Sequence, residues 1–204
     1  HCGFCELGLS CRNCIMGPCR IDPFGNGPSR GVCGADADVV VARNFGRMVA
    51  AGAAAHSDHG RDLIETLLAV GEGTTADYGI RDEAKLRRIA EEVGLAVAGK
   101  DAKAVALELA EQFFNDFGCR RGSISFIDRV PAKRRALWAT VGITPRGTDR
   151  DVVEMLHRTH MGVDNDAVNI CLHAARLSLA DGWAGSMIAT EVSDILFGTP
   201  TPRT

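Results

Sequence analysis

The sequence predicts an all-α protein in which a helical bundle domain is preceded by a cysteine-rich loop. Six of the eight cysteines lie in residues 2–33, a segment that is also rich in the turn formers glycine and proline. From Asp36 onward the chain is rich in alanine, and its apolar residues recur at helical spacing. Because 204 residues can bury a sizeable core without covalent staples, we expect one domain over 1–204, divided into the segment 1–35 and the helices of 36–204.

The predicted helices follow from the spacing of apolar residues. The pattern is clearest in 101–117, where apolar side chains fall at three- and four-residue steps and Gly118 follows. We expect helical stretches at about 36–70, 81–93, 101–117, 131–140, 148–160 and 165–197. Residues 123–127 are the one stretch predicted to form a strand, which is too short to found a sheet.

Glycines inside two of these stretches predict interruptions. The first helix is expected to be broken or kinked near Gly52 or Gly60. The last is expected to be interrupted at Gly182 or Gly185.

The composition excludes several classes of partner. A formal net charge of -3, with 24% charged residues, leaves no basic excess, so we expect no nucleic-acid partner. No apolar run approaches the roughly 18 residues that a membrane span requires, and the basic and apolar parts of a signal peptide are missing. We therefore expect a cytoplasmic protein with no membrane span.

The spacing of the cysteines separates three possible uses of the thiols. The cysteines of the first segment are Cys2, Cys5, Cys11, Cys14, Cys19 and Cys33. A structural zinc ion takes four ligands, commonly from two Cys-x-x-Cys pairs, so six thiolates overfill one zinc site. A cubane iron–sulfur cluster also takes four thiolates. Iron–sulfur binding is favoured, zinc remains open, and disulfides are disfavoured because a core of this size needs no staples.

The cysteines divide into a complete set and an incomplete pair. The set of four is Cys11, Cys14, Cys19 and Cys33. Cys2 and Cys5 cannot complete a four-cysteine cluster within the chain, whereas a second copy of the chain could supply two more thiolates. We therefore hypothesise a cluster shared across a twofold axis, and with it a homodimer.

The other cysteines and histidines carry weaker signals. Cys171 lies on an apolar helical stripe and is predicted to be a buried structural thiol. Cys119 follows a helix end without partner spacing and is interpreted as a bystander. His157, His160 and His173 lie in predicted helices without an accompanying ligand motif and are interpreted as structural.

Several strings of residues resemble a known family. They include C-R-N-C-I-M-G-P-C-R at 11–20, G-V-C-G at 31–34 and A-A-A-H-S-D-H-G-R at 53–61. Together they resemble the N-terminal helical domain of the anaerobic nickel–iron carbon monoxide dehydrogenases. The resemblance implies a homodimeric enzyme that oxidises carbon monoxide with water to carbon dioxide, two protons and two electrons, with a ferredoxin-like electron acceptor. It also implies that a nickel–iron–sulfur cluster is held by two downstream α/β domains. Those domains are absent here, so this chain alone is not expected to be active.

The resemblance also implies a role for each cysteine of the first segment. The set of four matches the ligands of a 4Fe-4S relay cluster held by one subunit. Cys2 and Cys5 match the ligands of a cluster shared between subunits. The second shared-cluster cysteine of the commoner family pattern falls at Ser10 here, and the Cys-x-x-Cys variant is associated with a 2Fe-2S cluster. We therefore expect an intersubunit 2Fe-2S cluster, with 4Fe-4S as the alternative.

Two histidines acquire a catalytic role from the same resemblance. His56 and His59 match the start of a histidine ladder that carries protons from the nickel site, and imidazole suits proton relay near neutral pH. The next steps of the ladder are Asp62 and Glu65 here. Two alternatives stay open, a hybrid-cluster protein of the hydroxylamine-reductase type and a non-catalytic zinc-binding module.

Overall fold

A computed structural model of the chain describes residues 2–118 and 123–202, and this part is helical with one two-stranded sheet. Two short strands, β1 and β2, lie among eight α-helices, α1 to α8, with a 3₁₀ turn after α4 and a π-helical segment after α7. In chain order the elements are α1 (Gly3–Glu6), β1 (Ser10–Cys11), β2 (Cys19–Arg20), α2 (Ala37–Glu72), α3 (Glu83–Glu92), α4 (Ala102–Gly118), the 3₁₀ turn (Ser125–Arg129), α5 (Ala132–Thr140), α6 (Thr148–Arg158), α7 (Ala167–Ala180), the π segment (Asp181–Ser186) and α8 (Met187–Phe197). The predicted all-α class is confirmed.

Helix α2 is the central element, because α4, α6, α7 and α8 all pack against it. The Asp36 carboxylate caps its start by accepting a hydrogen bond from the Val39 backbone N–H at 3.1 Å. Gly73, with a φ of 74°, ends it in the left-handed conformation that favours glycine. The helix therefore runs for 36 residues between two well-defined ends.

The predicted break in α2 is wrong, since the helix is continuous through Gly52 and Gly60. At Gly60 a Cβ would lie 3.2 Å from the Gly185 carbonyl oxygen and 3.2 Å from Phe117 Cζ. This glycine therefore permits close packing of α2 against the π segment and α4 and does not end the helix. Sequence alone does not distinguish these two uses of a helical glycine.

Two hydrophobic clusters lie along α2. The first surrounds Ile64 and Leu67 and is formed with α3, α4 and α8. The second surrounds the first half of α2 and includes Leu9, Ile21 and Ala35 of the cysteine-rich segment. The segment thus adds apolar side chains to the core and is fixed to the start of α2 by their burial.

The predicted interruption of the last helix is confirmed. Helices α7 and α8 are separated by the π segment, which contains both Gly182 and Gly185. Such π-helical turns are uncommon and often occur at functional sites.

The predicted strand at 123–127 is wrong, since the 3₁₀ turn begins at Ser125. The buried Asp116 carboxylate accepts hydrogen bonds from the Ser125 backbone N–H at 2.8 Å and from its hydroxyl at 3.0 Å. Burial raises the pKa of Asp116, although both hydrogen bonds act to lower it. Phe126 then packs against Phe113, with ring centroids 5.6 Å apart. Local hydrogen bonding and a tertiary contact outweigh the strand preference of this short stretch.

Within residues 2–118 and 123–202, no helix combines the length and apolar character that crossing a membrane requires.

Candidate metal centre

The cysteine-rich segment brings four thiols to one cavity. The antiparallel strands β1 and β2 place Cys11 opposite Cys19. Cys14 lies in the turn between the strands, and Cys33 lies in the loop before α2. All four cysteines line the same small cavity, which lies against the start of α2. The set of four predicted from spacing is therefore assembled in space.

Two glycines allow the backbone to approach these thiols closely. A Cβ at Gly17 would lie 3.0 Å from the Cys11 carbonyl oxygen. A Cβ at Gly31 would lie 3.3 Å from Cys19 Cβ and 3.4 Å from Cys19 Sγ. A side chain at Gly17 would press on a backbone carbonyl and one at Gly31 would press on Cys19, so glycine at both positions allows the loop to lie close around the cavity.

A buried guanidinium lies beside the fourth thiol. Arg43 of α2 is only 1% exposed, and its Nη1 donates to Cys33 Sγ at 3.3 Å. Nη2 donates to the Asp164 carbonyl oxygen at 2.6 Å and to Asn165 Oδ1 at 2.7 Å. Among the described residues, its hydrogen-bond acceptors are thus a sulfur, a carbonyl and an amide, none of them a carboxylate. A buried cation with such partners favours an anion in the cavity.

The donor set fits an iron–sulfur cluster. Burial alone raises the pKa of the Cys33 thiol, but hydrogen bonds from Arg43 and the Ala35 backbone outweigh burial and hold that pKa below its ordinary value. The thiolate is the form that binds metal. The buried Asn13 Nδ2, on the cavity wall, has no hydrogen-bond partner among the described residues and is available to a cluster sulfur. Four thiols, a buried cation and a free donor match the needs of a thiolate-bound cluster.

The other two cysteines of the first segment do not line this cavity. Cys2 and Cys5 are both exposed, at the N-cap and in the single turn of α1. The Cys5 backbone N–H donates to the Cys2 carbonyl at 3.0 Å, which keeps the pair on one turn. Hydrogen bonds from Cys5 lower the pKa of the Cys2 thiol. Asn44 of α2 donates to the Gly8 carbonyl at 2.9 Å and so fixes the position of the pair relative to the long helix.

His56 and His59 lie together on α2 and line an open depression against α8. His56 Nδ1 is 2.9 Å from Asp181 Oδ2, at the first residue of the π segment. The sequence analysis missed Asp181. Its position is the feature that points to it in the sequence: Asp181 lies directly before Gly182, where the last helix is predicted to be interrupted. Asp62 and Glu65 line a neighbouring depression farther along α2.

One predicted burial is wrong, since Cys171 is exposed. Helix α7 buries the face that carries Ile170, His173 and Leu177, whereas Val168 on the stripe of Cys171 is exposed. The helix has two apolar faces, and periodicity does not show which of them packs on α2 and α6. Cys119 lies outside the described residues.

A second group of potential ligands is an ion-pair network. Asp151, Glu154 and His173 place one ligand atom each within 4.8 Å of one another. Arg176 lies 3.2 Å from Asp151 Oδ1, and Arg146 donates to Glu154 at 2.5 Å. Burial alone raises the pKa of Glu154, but the hydrogen bonds from its arginine partners outweigh burial and hold it to about 2. Since arginines already neutralise the carboxylates, this group is structural.

The fold and the site together define the class of the protein: a helical domain whose N-terminal segment brings four thiols together in a candidate metal centre.

The family follows from comparison with known proteins. A model of the Prismane/CO dehydrogenase family matches residues 9–204, and the chain belongs to this family. It is 56% identical over 203 residues to carbon monoxide dehydrogenase 1 of Methanosarcina mazei, and the matched region covers 100% of this chain and 32% of that protein. It is 51% identical over 205 residues to carbon monoxide dehydrogenase 1 of Carboxydothermus hydrogenoformans, covering 99% of this chain and 32% of the relative.

A solved structure agrees with these relatives. The as-isolated, nickel-free crystal structure of carbon monoxide dehydrogenase from Thermococcus sp. AM4 superposes with a TM-score of 0.93 and 54% sequence identity, covering 98% of this chain and 32% of that one. The resemblance drawn from the cysteine and histidine strings is thereby confirmed, and iron–sulfur chemistry fits the family. The chain spans about a third of the length of the curated relatives it matches.

Proposed function

We propose that this chain is the electron-transfer and dimerisation domain of an anaerobic, nickel-dependent carbon monoxide dehydrogenase. In the full-length protein the reaction is CO + H2O → CO2 + 2 H+ + 2 e-. The observation that carries the proposal is the division of six cysteines into four that line one cavity and two that are exposed apart from it. The names of the relatives support the reaction. They favour it over the hybrid-cluster alternative, and the six cysteines of the first segment exceed the four ligands that one zinc ion takes.

Each group of cysteines holds a different cluster. The set of four holds a 4Fe-4S relay cluster. Cys2 and Cys5 hold half of an intersubunit cluster, 2Fe-2S with 4Fe-4S as the alternative, and the same pair of a second copy completes it. Bound iron–sulfur clusters supply one-electron transfer at potentials set by hydrogen bonds to sulfur and by exposure to solvent. The nickel–iron–sulfur cluster is held by residues outside this chain.

An exposed apolar stripe supports the homodimer. Val41, Phe45 and Met48 recur at four- and three-residue steps on one exposed face of α2. Asn44, on the same turns of the helix, is bonded to the loop that follows Cys5. A second copy that covers this stripe buries its apolar surface and brings the two Cys2–Cys5 pairs toward each other. The exposure of the pair suits electron delivery to a ferredoxin-like acceptor.

His56 and His59 serve proton transfer. Donation of the His56 Nδ1–H to Asp181 Oδ2 fixes the tautomer and leaves Nε2 free to accept a proton from the substrate side. His59 lines the same depression and receives the proton next. Asp62 and Glu65 continue the path with carboxylates. The chain thus separates electrons, which leave toward Cys2 and Cys5, from protons, which leave along α2.

A double substitution tests the division of the cysteines. In the full-length protein purified without oxygen, Cys2→Ser with Cys5→Ser removes the signal of the intersubunit cluster from electron paramagnetic resonance spectra and leaves the relay-cluster signal. Cys171→Ser is the matched control, an exposed cysteine outside both groups, and keeps both signals. Loss of both signals in the double variant, or zinc without iron in the wild type, contradicts the proposal.

A further inference from the structure

Arg43 has an unusual position for a charged residue. It lies within the continuous helix α2, is almost fully buried, and points its guanidinium at the cavity of the four cysteines. One nitrogen donates to Cys33 Sγ. Arg43 is therefore a buried, charged side chain of α2 that contacts the thiol set, with 3.3 Å between Nη1 and Cys33 Sγ.

The guanidinium is held in place from the opposite side. Asp164 and Asn165, in the connection between α6 and α7, accept both hydrogen bonds of Nη2. Asn165 Nδ2 also donates to the Cys33 carbonyl oxygen at 3.0 Å. Arg43 thus contacts the sulfur of Cys33, and Asn165 contacts its backbone. Because Asn165 also binds Nη2 of Arg43, the direction of the Nη1–H bond toward the sulfur is fixed.

The electrostatic consequence depends on the charge of the sulfur. One-electron reduction adds a negative charge that is partly carried by the ligand sulfurs. A fixed cation that donates a hydrogen bond to one of these sulfurs stabilises the reduced state more than the oxidised state. Burial strengthens the effect, because the interaction is poorly screened by solvent. Cys33 is the cysteine of the set that receives this charge-assisted bond.

We propose that Arg43, oriented by Asn165, is a positioning residue that raises the reduction potential of the cluster bound by the four cysteines. The inference rests on the proposed relay cluster. It goes beyond that function by assigning the tuning of one cluster to a residue that is not a ligand.

Redox titration of the full-length protein, followed by the relay-cluster signal in electron paramagnetic resonance spectra, tests this role. Arg43→Met removes the charge and the donors. It shifts the reduction equilibrium about tenfold toward the oxidised cluster, which is about 59 mV more negative for a one-electron couple. Arg43→Lys keeps the charge but cannot serve Cys33 and Asn165 together, so its potential lies between those of Arg43→Met and the wild type. The intersubunit cluster keeps its potential in both variants.

A variant at an exposed position tests the same effect without changing the buried core. Asn165 is exposed, and Asn165→Asp places a carboxylate against the guanidinium without changing side-chain size. We expect a shift in the same direction by a smaller factor. Arg47→Met is the matched control, since Arg47 lies one turn along α2 and bonds Thr159 Oγ1 and the Leu156 carbonyl instead. Its relay potential stays that of the wild type.

The outcomes are distinguishable. A negative shift in any cluster-containing variant of Arg43 or Asn165, with Arg47→Met unchanged, supports the tuning role. Wild-type potentials in every variant that retains the cluster overturn it. So does loss of the cluster from all three, because Arg43 would then serve only to hold the loop. A wild-type protein without a four-iron cluster refutes the proposed function itself.

Discussion

Replacing Asp181 in the full-length protein separates two effects of its contact with His56. Asp181 Oδ2 lies 2.9 Å from His56 Nδ1. Asp181→Asn keeps an oxygen that accepts the Nδ1–H but removes the negative charge beside the ring. Asp181→Ala removes both the acceptor and the charge. The two variants therefore distinguish the orientation of the ring from its electrostatic support.

The size of each effect follows from the exposure of the pair. The side chain of His56 is 63% exposed and that of Asp181 is 18% exposed, so solvent screens much of their attraction. A pair of this kind is worth about 1 kcal/mol, which is about fivefold in rate. Losing the hydrogen bond as well costs about 1 kcal/mol more, about 25-fold in total. His56→Ala removes the proton acceptor itself and is expected to lower the rate by about 100-fold or more.

The assay is carbon monoxide oxidation with an artificial electron acceptor in excess, measured as kcat across pH. Iron–sulfur signals are recorded on the same samples and are expected to be unchanged, because neither residue contacts a proposed ligand cysteine in the described structure. Asp58→Asn is the matched control, an 80% exposed carboxylate on the same helix whose ion-pair partner is Arg61. Wild-type kcat and pH profile in Asp181→Ala, or equal losses in Asp58→Asn, would show that Asp181 does not support proton transfer by His56.

Three further predictions follow from packing, charge and the apolar stripe. Gly31→Leu places side-chain atoms against Cys19 Sγ, a proposed ligand 3.4 Å from the new Cβ, and is expected to lower the iron content of the purified protein, whereas Gly79→Leu, which meets nothing within 4 Å, leaves it unchanged. The pKa of Glu154 is lowered from 4.5 to about 2, so its ionised side chain stabilises the fold above pH 4.5, and this stability is lost as the pH falls toward 2. Glu154→Gln lacks this contribution, so the helical circular dichroism of the variant depends less on pH in that window. Phe45→Lys puts a charge on the exposed stripe and is expected to convert the proposed dimer to monomer in size-exclusion chromatography, whereas Val153→Lys, at an exposed apolar position on α6, is expected to keep it.

The cysteine pattern in the sequence predicts much of the candidate site. Cys11, Cys14 and Cys19 lie close in sequence on one hairpin, but Cys33 lies farther from Cys19 than Cys5 lies from Cys11. Proximity in sequence therefore does not select the four by itself, and the grouping depends on the number of ligands that a cluster takes and on the family resemblance. Their convergence on one cavity agrees with that grouping. The separation of Cys2 and Cys5 was predictable from the count, since a cluster takes four thiolates and two of the six are left over. The cluster types and the second copy remain proposals, because neither depends on contacts within one chain.

The parts that sequence analysis missed depend on long-range contacts. Arg43 meets Asn165 across 122 positions, and His56 meets Asp181 across 125 positions. No local pattern encodes such pairs. The same limit explains Cys171, since both apolar faces of α7 satisfy the helical period and only packing decides which is buried.

Anomalous diffraction at the iron edge, from anaerobic crystals of the full-length protein, shows directly whether the first 33 residues hold two separate iron–sulfur clusters. We expect iron bonded to the sulfurs of the four cavity cysteines in each subunit, and a second iron site on the twofold axis bonded to Cys2 and Cys5 of both copies. Iron that joins Cys2 or Cys5 to the cavity set, or a signal at the zinc edge alone, would contradict this expectation.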